Sequence, residues 1–253
     1  MMMRLYLIHL IFSCFFIAEI GHNLNLAHSG GIDGATYTDH TCLMGNPLYS
    51  DDTGKMCFNP AKNWQIGWYS PRKILLDPRV GSGPWTYDMV GVANYGNNPA
   101  NLPIVIKLET GTTTDFFIGF NRAVGVNAQN VQADDLVTII QSGSNGDGYS
   151  QSFLKATLAQ GGSFTFTNYA NGGYNLVVSV VSINLSVNPA VARVTVSKPP
   201  PPTKSPTKIP SRAPSAKPSA KPSTKPSAKP SAKPSTKPST TPSKTPSAVS
   251  PTL

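Results

Sequence analysis

The sequence predicts an α+β chain in three parts. A short helix-bearing block rich in histidine comes first, an all-β antiparallel sandwich-like domain follows, and a disordered tail ends the chain. Three observations carry this reading. Between Asn101 and Ser197, seven short β-branched or aromatic runs alternate with Gly- and Asn-containing turns. Ahead of them, Glu19, His22 and His28 stand at offsets that one helical turn and a bend would gather. From Lys198 onward, a repeated Pro-Ser-Ala/Thr-Lys unit leaves almost nothing apolar to bury.

At the N-terminus, Met1–Arg4 followed by LYLIHLIFSCFFIA has a basic start and a short apolar run. Residues 1–17 therefore read as a signal-like leader too short for a stable membrane span. Cleavage at Ala18 would remove the first turn of the helix that must carry Glu19 and His22. The alternative is misassigned sequence fused to an exon beginning near Ala18. Residues 18–70 form the motif-rich block, and residues 71–100, with Pro71, Pro78, Pro84 and Pro99, read as a loop-rich connection.

The sandwich strands are expected in LPIVIKLET, TDFFIGFNRAVGV, DLVTIIQS, SFLKATLA, SFTFTN, YNLVVSVVSINLS and AVARVTVS, all within residues 101–197. Gly111-Thr112, Asn145-Gly146, Gly161-Gly162 and Gly172-Gly173 punctuate them. Asn145-Gly-Asp-Gly resembles part of a calcium loop but lacks the later ligands, so a turn is expected there. Asn184-Leu-Ser is an N-glycosylation sequon within a predicted strand. Trp64 and Trp68, four residues apart, are expected to pack in the core.

Charge is divided along the chain. Residues 198–253 hold ten Lys and Arg212 with no acid, whereas the preceding 197 residues hold ten basic and twelve acidic side chains. The folded part is thus close to neutral, and without a basic helix it excludes a nucleic-acid-binding fold. The tail should be extended and polyproline-II-like, with lysines every four residues spiralling around it. It serves as a spacer or as a contact to a polyanionic wall or mineral surface, and its Ser and Thr beside Pro suit O-glycosylation in a secreted stalk. With Cys14 in the leader, Cys42 and Cys57 remain as an even pair. They form a short-loop disulfide of a secreted protein or stand as two independent thiols.

The chemistry concentrates in AEIGHNLNLAHS, residues 18–29. It follows the zinc signature H-E-x-x-H-x-x-G-x-x-H with two departures: Ala18 replaces the first histidine and Asn25 the glycine. Positions 18 and 22 share a helix face, where side chains clamp a metal, and Glu19 is rotated toward the metal-bound water. Asn25 is the next-best residue for the left-handed bend before His28. Ala18 donates nothing, so His22 and His28 alone should hold metal weakly. Asp39 and His40 are the nearest substitutes, without a spacing that recommends them.

Three segments together, EIGHNLNLAHS, DHTCLMG and FNPAKNWQIGW, resemble the gametolysin family of metzincin zinc metallopeptidases, algal enzymes that degrade cell walls. The resemblance covers residues 18–70 by motif. It implies that these residues are the C-terminal fragment of a metzincin catalytic domain, with His22 and His28 as zinc ligands, Glu19 as general base and Met44 as the methionine turn. It further implies a secreted, extracellular endopeptidase acting on cell-wall or matrix glycoproteins. The family's first ligand and its upstream subdomain have no counterpart here, so weak activity is expected. The alternative is a non-catalytic wall- or surface-binding protein that uses the sandwich and the cationic tail.

Overall fold

The computed structural model describes residues 19–45 and 56–199. The expected leader, Ala18 and the repeat tail beyond Pro199 lie outside the described residues. Each of the seven expected runs contains a strand: β4 (Val105–Leu108), β5 (Asp115–Asn121), β6 (Leu136–Ser142), β7 (Ser152–Leu158), β8 (Ser163–Phe166), β9 (Leu176–Asn184) and β10 (Val191–Ser197). Three more strands precede them: β1 (Ser29–Gly30), β2 (Lys73–Leu76) and β3 (Trp85–Met89). Among the described residues two α-helical segments are present, α1 at residues 19–23 and α2 at Pro60–Ile66.

The strands form two sheets. The first runs β1-β7-β6-β5-β4-β2, antiparallel through its four central strands, with β1 and β2 joining the edges in parallel. The second runs β3-β10-β9-β8 and is antiparallel throughout. Two expectations are corrected here. Residues 71–100 are not merely a connection, because β2 and β3 edge the two sheets. Nor is the histidine block a separate unit, because β1 from that block pairs with β7.

The core lies between the sheets. Ile106, Leu108, Ile118, Phe120, Val137 and Ile139 face Leu176, Val178, Val180, Val194 and Val196 across it, all buried. Alternate residues on β4 to β7 point the other way and are buried as well. Val105, Phe117, Ile140 and Leu154 pack with Ala61 and Trp64 of α2. This explains why β4 and β5 read as nearly continuous apolar runs rather than alternating ones.

Helix α2 is set down on this outer face by local chemistry. The Asn59 side chain caps it by accepting from the Lys62 amide, Pro60 pre-sets its first turn, and Gly67 ends it at φ 70°. Gly119 on β5 makes room: a Cβ there would lie 2.3 Å from Pro60 Cγ. Lys107 on the same face is neutralised by Asp115 at 2.9 Å and Glu109 at 3.1 Å, and donates to the Asn145 carbonyl at 2.9 Å. The Asn145-Gly-Asp-Gly segment forms the expected tight turn, with Asn145 at φ 55°.

The outer face of the second sheet is polar. Thr86 and Thr195 are bonded across strands at 2.9 Å, and Arg193 forks onto Asp88 with two 2.7 Å bonds. Asn184 is exposed at the end of β9. Just past β10, Lys198 donates to the Gly81 carbonyl at 2.8 Å and lies 4.4 Å from the Tyr174 ring. The tryptophan expectation holds for one residue of the two. Trp64 packs on Phe117, but Trp68 is 57% exposed, because it falls beyond the Gly67 stop and off the helix face that meets the sheet. Among the described residues, no helix is long and apolar enough to cross a membrane.

Candidate metal centre

Helix α1 carries Glu19 and His22 and ends in a left-handed residue. Asn25 adopts φ 63°, the bend its position predicts. Two backbone bonds tighten the turn, from the Asn25 amide to the His22 carbonyl at 2.9 Å and from the Leu26 amide to the Gly21 carbonyl at 3.0 Å. Gln65 on α2 donates to the Asn25 carbonyl at 2.6 Å, so the helix on the sheet also holds the bend.

The bend brings the two histidines together. Their ring centroids are 4.5 Å apart and the rings meet edge to face at 86°. His22 Nδ1 lies 2.8 Å from the Leu26 carbonyl, which can only accept, so Nδ1 carries the proton and Nε2 keeps its lone pair. His28 Nε2 lies 3.1 Å from the Tyr37 hydroxyl, and the Met44 main chain also acts on the ring. His22 therefore has one N–H tied to the main chain and its other nitrogen available, the arrangement in which histidine ligates a metal. Burial and the neighbouring His22 hold His28 below the ordinary imidazole pKa against the Met44 hydrogen bond, which favours its neutral form. Glu19 is exposed on α1, and its charge acts on His28 in the opposite sense.

Met44 lies under the turn. It is 1% exposed and clusters with Leu26, Cys42, Phe58 and Ile66. A Cβ at Gly21 would lie 2.2 Å from Met44 Sδ, so α1 rests on this thioether only because residue 21 has no side chain.

A buried polar brace, not anticipated from the sequence, fixes the loop between His28 and Met44. Asp39 is fully buried and accepts from Ser29 Oγ at 2.5 Å, Thr41 Oγ1 at 2.6 Å, the Thr41 amide at 2.9 Å and Asn59 Nδ2 at 3.2 Å. Asn59 also reaches Ser152 on β7 at 3.1 Å. This commits Asp39 inward and removes it as a substitute ligand. His40 is held through its amide, which donates to Gln132 Oε1 at 3.0 Å. The Asn-Pro pair opening α2 was the available signal for the Asn59 cap. Its contacts to Ser29, Asp39 and Ser152 are long-range and leave no local signature.

Beside the brace, Lys62 is fully buried and donates to the Ser150 carbonyl at 2.7 Å. Burial draws its ammonium down to about 8. Of the two alternatives for Cys42 and Cys57, the structure has independent free thiols. Cys42 Sγ instead accepts from the amides of Met44 at 3.4 Å and Asn59 at 3.3 Å. Burial pushes each thiol up to about 12, with the Asp39 charge adding to the effect at Cys42.

The donor set at the turn fits a soft-to-borderline divalent ion through two imidazoles, one fewer than the three protein ligands usual for catalytic zinc. Among the described residues, no three His, Cys, Asp or Glu side chains converge. Comparison with family models, curated proteins and solved structures returns no match for this chain.

Proposed function

We propose that residues 19–45 form the metal-binding end of a secreted, gametolysin-like zinc endopeptidase acting on cell-wall or extracellular glycoproteins. Its activity in this chain is low because Ala18 stands where the first imidazole belongs. One observation carries the reading: the left-handed bend at Asn25 sets His22 and His28 edge to face, 4.5 Å apart, over a buried methionine. His22 and His28 hold the ion through their Nε2 atoms, and the Leu26 carbonyl fixes the His22 tautomer. Zinc bound there supplies a Lewis acid and lowers the pKa of its water to about 7. Glu19, exposed one residue into the described helix, takes the proton of the attacking water and delivers it to the leaving amine. Met44 gives the turn an apolar floor that keeps the rings from tilting.

The experiment is zinc titration of the purified chain by chelator competition. Wild type should bind weakly, and Ala18→His should bind roughly tenfold tighter or better, because it adds an imidazole to the donor set. It should also gain peptidase activity on wall glycoprotein, which Glu19→Gln then removes. Equal affinity in wild type, Ala18→His and His22→Ala would overturn the proposal.

A second reading, binding to wall polysaccharide or glycoprotein, is favoured by an open cleft of about 340 Å³ lined by Phe116, Phe164, Tyr169, Gln141, Lys155 and Asn168. The half-buried rings of Phe116 and Phe164, flanked by amides and an ammonium, suit stacking on sugar rings. Wall-fraction binding that survives high salt and falls in Phe164→Ala would support the cleft. Binding abolished by salt alone would point to the cationic tail.

A further inference from the structure

We infer that Tyr37 supplies the third protein donor of this metal site, through its phenolic oxygen. The inference rests on the reading of His22 and His28 as metal ligands. It starts from a contact that no sequence spacing announces: Tyr37 Oη lies 3.1 Å from His28 Nε2, the nitrogen that would face an ion. Donor atoms on one tetrahedral zinc, each about 2.0–2.1 Å from it, are about 3.3 Å from one another. The oxygen and the nitrogen are thus already near the separation of two ligands on one ion, and the His22 ring lies 4.5 Å from that of His28.

The position of Tyr37 also calls for an explanation. The side chain is 54% exposed, yet its ring lies 4.4 Å from that of His28 at a 58° tilt. The loop delivers it there. Thr38, the next residue, is tied to Asp33 and to the Ala35 carbonyl, and it accepts from the Gly31 amide at 3.0 Å. Asp39 follows, locked in the buried brace. Tyr37 is therefore presented outward from an anchored segment, with its hydroxyl against the imidazole. The neighbouring carboxylate of Asp39 turns inward, which leaves the phenol as the oxygen donor on the metal side of the loop. Two imidazoles and one phenol oxygen form a donor set that suits Zn²⁺ and Cu²⁺.

The test uses the full apo chain, with Zn²⁺ followed by chelator competition and Cu²⁺ followed by visible absorption. Wild type should bind one Zn²⁺ and show a phenolate-to-copper charge-transfer band. Tyr37→Phe should weaken Zn²⁺ binding roughly tenfold or more and abolish the band. Tyr37→His should keep Zn²⁺ affinity but lose the band, and Tyr149→Phe, an exposed tyrosine elsewhere, should change neither. If Tyr37→Phe matches wild type in affinity or keeps the band while His22→Ala loses binding, the tyrosine assignment is wrong and the two-histidine site stands. If wild type binds no Zn²⁺, the metal site itself is wrong and the assignment falls with it. Far-UV circular dichroism of each variant separates loss of a ligand from loss of fold.

Discussion

The two sheets of the sandwich differ in how many faces they bury. The second sheet covers one face against the core and shows water a row of Thr, Arg and Asp side chains. The first sheet covers both, the inner with aliphatic residues and the outer with α2, its aromatic contacts and the buried Asp39 brace. The extra buried layer is where the histidine turn is fastened. Gln65 holds Asn25 from α2, Asn59 ties Asp39 to β7, and β1 pairs with β7 directly. A two-residue strand and a helical turn of five described residues cannot be stable alone. Their rigidity is borrowed from the sheet beneath them.

The sharpest way to break this contrast is Asp39→Ala. It leaves hydroxyls and an amide buried without their acceptor, and it should cost about 3 kcal/mol or more in chemical denaturation. It should also abolish metal binding at a turn it does not touch. If the variant keeps wild-type stability, the brace does not support the site.

Gly119→Ala comes next. The new methyl would push Pro60 and α2 off the first sheet, at about 1–3 kcal/mol, with α2-dependent Trp64 fluorescence shifting to the red.

The pH dependence of stability sharpens the comparison further. Lys62 has a folded-state pKa of about 8 against an ordinary 10.5, so between those values the unfolded chain binds the extra proton and stability rises with pH. Cys42 and Cys57 move the other way, from 9 to about 12, so above pH 9 the folded chain holds two protons that the unfolded chain has released. Lys62 alone should raise stability by about 1 kcal/mol from pH 8 to pH 9, the two thiols should offset most of that climb, and beyond pH 9 they should make stability fall. Lys62→Met should remove the climb and leave the fall. The smallest effect belongs to the second sheet's open face, where Thr86→Val should stay within about 0.5 kcal/mol of wild type.

What the sequence revealed follows the same division. The seven strands of residues 101–197 were legible because each is a β-branched or aromatic run between turn residues. Asn25 was legible because few residues other than Asn and Gly accept a positive φ. The strands Lys73–Leu76 and Trp85–Met89 were hidden by the prolines around them, and pairing partners far along the chain stabilise both: β4 for one and β10 for the other. Tyr37, Asp39 and Gln65 carry no periodic signal, because each gains its role from a contact made only after the sheet has formed. The cysteine pair stayed open for a related reason: an even count allows a bond or two thiols, and only the packing around Cys42 and Cys57 distinguishes them.

Lys198 has a mechanical consequence. The chain beyond it leaves the sandwich from β10, which lies between β3 and β9 and is paired antiparallel to both. A pull on that chain along the strand axis loads two hydrogen-bond ladders in shear, so their bonds must fail together rather than peel one after another. The Lys198 contact to Gly81 and Tyr174 adds a clamp at the point where the load enters. A domain tethered through this end resists tension along its strongest direction.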